Sequence, residues 1–194
     1  MALAYTNIEV ELREISLRDR PQALYNVSQK GTVPVLITND DIIIDESLDI
    51  ILWSLKNDKD QTWLSKNSDK EIELITINDT IFKKWLDRYK YHDRYPENSK
   101  EYYRNKCNDI LYDYNSQLNE TKYFSNNDIG ILDIAIFPFV RQFANVDYQW
   151  FEDNYNKLEY WLKKISASNL FISIMKKHDT WNNKDQNIAL MLID

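Results

Sequence analysis

Three residue types that build many functional sites are scarce in this chain. Its 194 residues include two glycines, one cysteine and two histidines. A single cysteine excludes an internal disulfide framework and is typical of a reducing cytosol. Two glycines cannot build a glycine-rich phosphate loop, and His92 and His178 are far apart, with no pattern of further metal ligands around them. We therefore predict no metal site and no phosphate loop.

Long apolar runs and an excess of basic residues are also missing. No segment approaches the ~18 consecutive apolar residues that span a bilayer, and no basic region followed by an apolar stretch suggests a signal peptide. The net charge of −7 disfavours general binding to nucleic acid. With 43% hydrophobic and 28% charged residues, the composition is that of a soluble globular protein. We predict a cytoplasmic protein with neither a membrane nor a nucleic-acid partner.

The most informative stretch covers residues 30–53, KGTVPVLITNDDIIIDESLDIILW. Two apolar strands flank a polar turn at residues 39–41, which is the pattern of a hairpin. Pro34 fits a strand start because proline cannot donate to a ladder, and a proline at such a point can carry a cis peptide bond. Glu46 and Ser47 then open an apolar-periodic helix, whose free N–H groups and partial positive charge suit a carboxylate ligand.

This order of motifs resembles the glutathione-binding half of the cytosolic glutathione transferases; an ordinary hairpin followed by an ordinary helix cap is the alternative. The resemblance implies that the backbone of Val33 and Pro34 pairs with the cysteinyl part of glutathione. It also implies that Glu46 and Ser47 hold the γ-glutamyl end. Arg20 precedes a proline where omega-like members have a lysine that contacts the glycyl carboxylate. The Arg20 guanidinium could pair with that carboxylate through two hydrogen bonds. The alternative is that it is a solvated charge of the loop.

The resemblance covers nearly the whole chain and points to a bacterial, omega-like or glutaredoxin-like branch. The segments that carry it are VELREISLRDRP, KGTVPVL, DESLDIILW, LDRYKYHDRYPE and DIAIFPFVRQFA. The fold it implies is α/β followed by all-α: an incomplete thioredoxin-like domain over residues 1–57, a linker over 58–67 and an all-helical C-terminal domain over 68–194. The residues agree with this division, because apolar positions recur at three- and four-residue spacing after residue 68.

Two further sets of residues are interpreted through the same family. Gly130 and Asp133 occupy the capping-box positions of a central helix, where the family has Ser or Thr at the cap. Because glycine is tolerated at a cap with a loss of only tenths of a kcal/mol, we predict the helix and a structural role for Asp133. The aromatic and basic residues between positions 85 and 95 lie where the family builds its pocket for the electrophilic substrate; the alternative is that they belong to the core or line the domain boundary. These pocket candidates are Arg88, Tyr91 and Tyr95.

The family's catalytic Ser, Cys or Tyr follows the first strand of the thioredoxin-like domain. Here MALAYTN resembles the end of the first helix and IEVELREI the second strand, so the first strand and the catalytic loop are not among these residues. We expect a truncation, natural or in the gene model, with a rearranged sheet as the alternative. The catalytic residue is unknown. We predict that Tyr5 is packed and that Cys107, on an apolar helix face, is structural.

Three functional hypotheses remain open. The first is a glutathione transferase-like homodimer that uses glutathione as co-substrate, without a metal, to conjugate or reduce small electrophiles, its activity reduced by the missing loop. The second is a non-catalytic protein-binding module on the same scaffold, of the kind of stringent starvation protein A. The third is a gene fragment without stable activity.

Overall fold

The computed structural model describes residues 1–56, 63–64, 68–125 and 127–181. These residues form two compact units, the first from residues 1–56 and 169–181, the second from residues 63–168. The predicted linker at residues 58–67 lies outside the described residues except for positions 63 and 64. The predicted domain bounds at residues 57 and 68 stay predictions.

The described part of the chain is mostly helical and contains one small sheet. Its strands are β1 (Leu36–Ile37) and β2 (Ile43–Ile44). A π-helical turn at Asn78–Phe82 joins two of the helices, and a short 3-10 turn at His92–Arg94 follows them. The helices are α1 (Ala2–Tyr5), α2 (Gln22–Val27), α3 (Ser47–Lys56), α4 (Ser68–Ile77), α5 (Lys83–Lys90), α6 (Lys100–Gln117), α7 (Ile131–Ala144), α8 (Tyr148–Asn154), α9 (Asn156–Ser166) and α10 (Asn169–Ile174).

The first unit is organised around the β1–β2 hairpin and the contact of α3 with α1. The strands are antiparallel, with Leu36 opposite Ile44 and Ile37 opposite Ile43. Asp41 turns the chain with a φ of 60°, a conformation that Asp tolerates better than most residues. On the inner side of α3, Ile50 and Leu55 are buried. The predicted hairpin and the helix after it are confirmed.

Residues 8–15, predicted as a strand, are extended but are not part of the regular sheet, which in the described residues is confined to β1 and β2. Their side chains alternate as predicted between half-buried apolar and exposed polar positions. Alternation is a local property, whereas a regular strand also needs ladder partners along its length. The segment after α10 reaches this stretch, since the Trp181 N–H donates to the Glu14 carbonyl oxygen at 2.7 Å.

The second unit has its core at α7. Ten of the residues of α7 are buried, on all sides of the helix. A helix that is apolar all round belongs in the interior of a protein, and α4, α5, α8 and α9 each pack against this one. Large aromatic side chains fill the space between these helices, and the fully buried ones include Phe82, Tyr89, Phe143, Phe151 and Trp161. In the described residues, no helix is long and apolar enough to cross a bilayer.

Candidate functional site

The backbone just before β1 is shaped by a glycine that no other residue can replace without strain. Gly31 has a φ of +60°, and a Cβ added to it would lie 2.5 Å from Cε1 of Tyr25. Its N–H donates to the Ser28 carbonyl oxygen at 2.9 Å and closes the turn after α2. The next residues are exposed, and the peptide bond between Val33 and Pro34 is cis. The exposure of these residues makes this stretch accessible to a ligand.

The second half of the candidate site is the N-terminus of α3. Ser47 is the first residue of this helix and is exposed, as is Glu46 before it. The Glu46 carbonyl oxygen accepts the Ile50 N–H at 3.0 Å, which starts the helical ladder. The first N–H groups of a helix have no partner within it, and they carry a partial positive charge. This end of α3 thus offers donors to a carboxylate beside the carboxylate of Glu46.

Lys30 joins these two halves through its side chain. This contact was not predicted from the sequence. Its Nζ lies 2.6 Å from Oε1 of Glu46 and 3.9 Å from Oδ2 of Asp45. The hydrogen bond to Glu46, with the negative charges of Glu46 and Asp45, raises the pKa of Lys30. Lys30 immediately precedes Gly31, so the turn before β1 is tied to the residues after β2. Nothing in the local sequence identifies an exposed partner sixteen positions away.

The pairing of β1 with β2 brings the two motifs to the same end of the hairpin. Because Leu36 lies opposite Ile44, the residues just before β1 and just after β2 are neighbours across the strand pair. Val33–Pro34 and Glu46–Ser47 therefore share one edge of the first unit. Arg20 is exposed and follows a turn closed by the Asp19 N–H donating to the Ser16 carbonyl oxygen at 3.2 Å. The described contacts do not join Arg20 to the two motifs.

The three pocket candidates of the second unit separate into two groups. The Arg88 guanidinium carbon lies 4.9 Å from the centroid of the Tyr95 ring, so these two residues form one contact. Tyr91 is 42% exposed and lies between other cations, with Lys90 Nζ and the Arg94 guanidinium carbon each 4.8 Å from its ring centroid. The structure brings Arg88 and Tyr95 together, and Tyr91 belongs to a neighbouring cluster.

Cys107 is enclosed by the helical core of the second unit. Its side chain is fully buried on α6, and burial raises the pKa of the thiol to about 12. A thiol needs a lowered pKa and access to solvent to act as a nucleophile at neutral pH. The predicted structural role is therefore in agreement with its surroundings.

We expect Cys107 to be unreactive in the folded protein. At neutral pH, an aromatic disulfide reagent should label the native thiol at least 100-fold more slowly than the thiol of the protein unfolded in guanidinium chloride. The reason is that both the thiolate population and access are suppressed. The release of the coloured thiol is followed by absorbance, and the unfolded sample calibrates one equivalent. Rapid stoichiometric labelling of the native protein would contradict this assignment.

The comparisons with known proteins place this architecture in a defined class. Residues 1–62 match the family model of the glutathione S-transferase N-terminal domain. A comparison with curated proteins finds no significant match. The chain has the glutathione transferase fold, with a thioredoxin-like N-terminal domain and a mostly helical remainder, and the predicted fold class is confirmed.

Three solved structures illustrate the likeness. The glutathione transferase URE2P6 from Phanerochaete chrysosporium, in complex with oxidised glutathione, is 17% identical with a TM-score of 0.78, over 89% of this chain and 86% of that one. A glutathione transferase family member from Pseudomonas fluorescens Pf-5, with two glutathione bound, is 17% identical with a TM-score of 0.72, over 88% and 83%. Glutathione transferase F7 from Populus trichocarpa is 16% identical with a TM-score of 0.73, over 89% of each chain.

Proposed function

We propose that this chain binds glutathione at the edge formed by Val33–Pro34 and Glu46–Ser47, as a glutathione transferase-type protein of the bacterial, omega-like branch. The observation that carries the proposal is the position of both motifs at the same end of the β1–β2 hairpin. Two solved structures with this fold are described as containing oxidised glutathione or glutathione. The proposed protein is a cytoplasmic homodimer.

Each part of glutathione has a chemically matched partner in this proposal. Val33, an exposed residue, offers its backbone hydrogen-bonding groups to the cysteinyl peptide unit. The carboxylate of Glu46 accepts hydrogen bonds from the γ-glutamyl ammonium group, beside Lys30, while the Ser47 hydroxyl and the first N–H groups of α3 donate to the γ-glutamyl carboxylate. Arg20 is the proposed partner of the glycyl carboxylate.

The proposed chemistry is attack of the glutathione thiolate on a small electrophile. In conjugation the sulfur bonds to carbon and the leaving group departs with its electron pair. In reduction the sulfur attacks a disulfide and displaces a thiolate, and a second glutathione then releases the other half as a thiol. Binding contributes by orienting the tripeptide so that its thiol meets the electrophile in a productive geometry. Arg88, Tyr91 and Tyr95 are the residues proposed to contact the electrophile. The residue that activates the thiol is unknown.

A non-catalytic protein-binding role on the same scaffold is the second candidate. The observation that favours it is that Cys107, the cysteine of this chain, is buried with its pKa raised to about 12. A buried thiol with a raised pKa does not act as a nucleophile at neutral pH, so Cys107 does not supply a catalytic cysteine.

We expect the double substitution Glu46→Gln and Ser47→Ala to weaken glutathione binding at least tenfold, which corresponds to about 1.4 kcal/mol. The substitution removes the carboxylate that receives the ammonium group and the hydroxyl that donates to the carboxylate. The measurement is isothermal titration calorimetry of the purified chain with reduced glutathione. Asp40→Asn is the matched control, because it removes a carboxylate from the turn at the other end of the hairpin. Equal affinities of the wild type and the double variant would refute the assignment.

A second measurement separates the two candidate functions. Conjugation of glutathione to a chromogenic aromatic halide is followed at saturating glutathione, and proteins retained by the immobilised chain are identified by mass spectrometry. Glutathione binding with turnover supports the transferase. Glutathione binding without turnover, together with a specific retained protein, supports the protein-binding role.

A further inference from the structure

The helical unit carries a second cluster that the glutathione proposal does not use as a whole. Three cationic groups surround the half-buried indole of Trp85: Lys84 Nζ, the Arg88 guanidinium carbon and Lys106 Nζ lie 5.0, 5.6 and 5.9 Å from the centroid of its ring. Lys84 and Arg88 belong to α5, and Lys106 belongs to α6. We define the Trp85 patch as Lys84, Trp85, Arg88, Tyr95, Tyr102 and Lys106.

Packed aromatic rings form the base of the Trp85 patch. The ring of Trp85 stacks on the buried Tyr103 with centroids 6.5 Å apart and planes at 25°. Tyr95 and Tyr102 meet Tyr103 edge-on, at 6.4 and 5.6 Å. The Tyr103 hydroxyl donates to the Tyr95 carbonyl oxygen at 3.0 Å, which anchors the loop after α5 to α6. The cations therefore lie against aromatic side chains that are packed on one another.

The three cations of the patch also form no salt bridge among the described residues. Lys163, by contrast, is paired with Glu152 and Glu159. Arg88 donates to the Lys84 carbonyl oxygen at 3.3 Å, a neutral group. The patch thus gathers three positive charges around one ring in a chain whose net charge is −7. Like charges held close together repel one another, and a bound anion removes that repulsion.

We propose that the Trp85 patch binds a small organic phosphate, with the phosphate group between Lys84, Arg88 and Lys106. A phosphate monoester is compact, carries nearly two negative charges at neutral pH and offers three acceptor oxygens. The guanidinium fork of Arg88 suits two of these oxygens, and the two ammonium groups act as point charges. The half-buried ring of Trp85 and the ring of Tyr102, a residue that is 39% exposed, provide contact area for the organic part of the ligand.

This site is distinct in chemistry from the proposed glutathione site. It uses side chains of α5, α6 and the loop between them, all within the second unit. It shares Arg88 and Tyr95 with the residues proposed to contact the electrophile. Binding of the phosphate needs neither glutathione nor turnover. The proposal therefore stands or fails independently of glutathione binding.

Titration calorimetry of the full chain, without glutathione, tests the proposal with phenyl phosphate as the probe. We expect phenyl phosphate to bind at least tenfold more tightly than benzoate, which has the ring but one charge, and than inorganic phosphate, which lacks the ring. The triple variant K84Q/R88Q/K106Q should lose at least tenfold in affinity. The matched control K83Q/R18Q/K157Q removes two lysines and one arginine from other exposed positions and should change the affinity less than twofold.

Several results would overturn the proposal. Absence of saturable phenyl phosphate binding is one, and an equal loss of affinity in the control variant is another. Displacement of phenyl phosphate by glutathione would place the probe in the other site, and binding of an oligonucleotide without binding of small phosphates would indicate a nucleic-acid surface. If circular dichroism shows that the triple variant is unfolded, the single variant K106Q replaces it in the test. We expect its affinity for phenyl phosphate to be about threefold lower than that of the wild type.

Discussion

Replacing Asp133 with alanine is expected to lower the free energy of unfolding of the second unit by about 4 kcal/mol, the range for a buried charged partner removed from its network. The carboxylate is fully buried and accepts four N–H groups. On Oδ1 it receives Trp161 Nε1 at 2.7 Å and the Phe124 N–H at 2.9 Å. On Oδ2 it receives the N–H groups of Gly130 at 3.1 Å and Ser125 at 3.2 Å.

The expected loss is large because alanine leaves these donors buried without an acceptor. A buried unsatisfied donor costs about 1–3 kcal/mol, and part of that cost is relieved when the loop before α7 rearranges toward water. Asp133→Asn keeps the shape but places an NH₂ group against N–H donors, so about 3 kcal/mol should be lost. Burial raises the pKa of Asp133, and the four N–H donors oppose that rise.

The loss is measured by urea denaturation of the purified protein, followed by tryptophan fluorescence. Asp128→Ala is the matched control, because Asp128 is an exposed carboxylate in the same loop and should change the stability by less than about 0.5 kcal/mol. A loss below 1 kcal/mol for Asp133→Ala would show that water or a shifted loop replaces the carboxylate.

The sequence predicted one of these four hydrogen bonds and could not predict the others. The spacing of Gly130 and Asp133 indicated a helix cap, and the hydrogen bond from the Gly130 N–H confirms it. Trp161 is 28 positions further along the chain, and its approach depends on the packing of α9 against α7. The structure also explains why the cap residue is a glycine, which the sequence alone did not. A Cβ there would lie 2.3 Å from Oγ of Ser125.

The candidate glutathione site also has features that the sequence predicted and features that it did not. The order of Val33–Pro34 and Glu46–Ser47 around a hairpin was readable because both motifs and the turn are local. Lys30 was missed because an exposed salt bridge leaves no trace in hydrophobic periodicity. At residues 8–15 the opposite happened. Apolar and polar residues alternate there, but the segment does not form a regular strand. Local pattern specifies which face of a segment is buried but not which segment lies beside it.

Only part of the Trp85 patch could be predicted from the sequence. Lys84 and Arg88 are four residues apart on a predicted helix, and this spacing places them on the same face. Lys106 comes from α6, and it reaches Trp85 because α5 and α6 pack together. The grouping of Arg88 with Tyr95 rather than Tyr91 likewise follows from the loop after α5, which the Tyr103 hydroxyl holds in place.

A second large loss is expected from Phe143→Ala, at about 4 kcal/mol, within the range for aromatic residues removed from a core. The Phe143 ring is buried on α7, with centroids 5.0 Å from Tyr89 and 6.2 Å from each of Phe82, Trp150 and Phe151. These neighbours come from the π-helical turn, α5 and α8. Truncation would therefore remove contacts with three other elements and leave a cavity between them.

Phe139→Ala provides the matched control for this prediction. Phe139 lies one turn earlier on the same helix and is only half-buried, so we expect a loss of about 1 kcal/mol, since less apolar area leaves water there on folding. Urea unfolding followed by both circular dichroism and tryptophan fluorescence measures the difference, and coincident curves would show that the transition stays cooperative. Equal losses in the two variants would mean that the surrounding helices move to close the cavity at Phe143. The centre of the second unit would then be adaptable, and α7 would stabilise it by its apolar surface rather than by a fixed arrangement of rings.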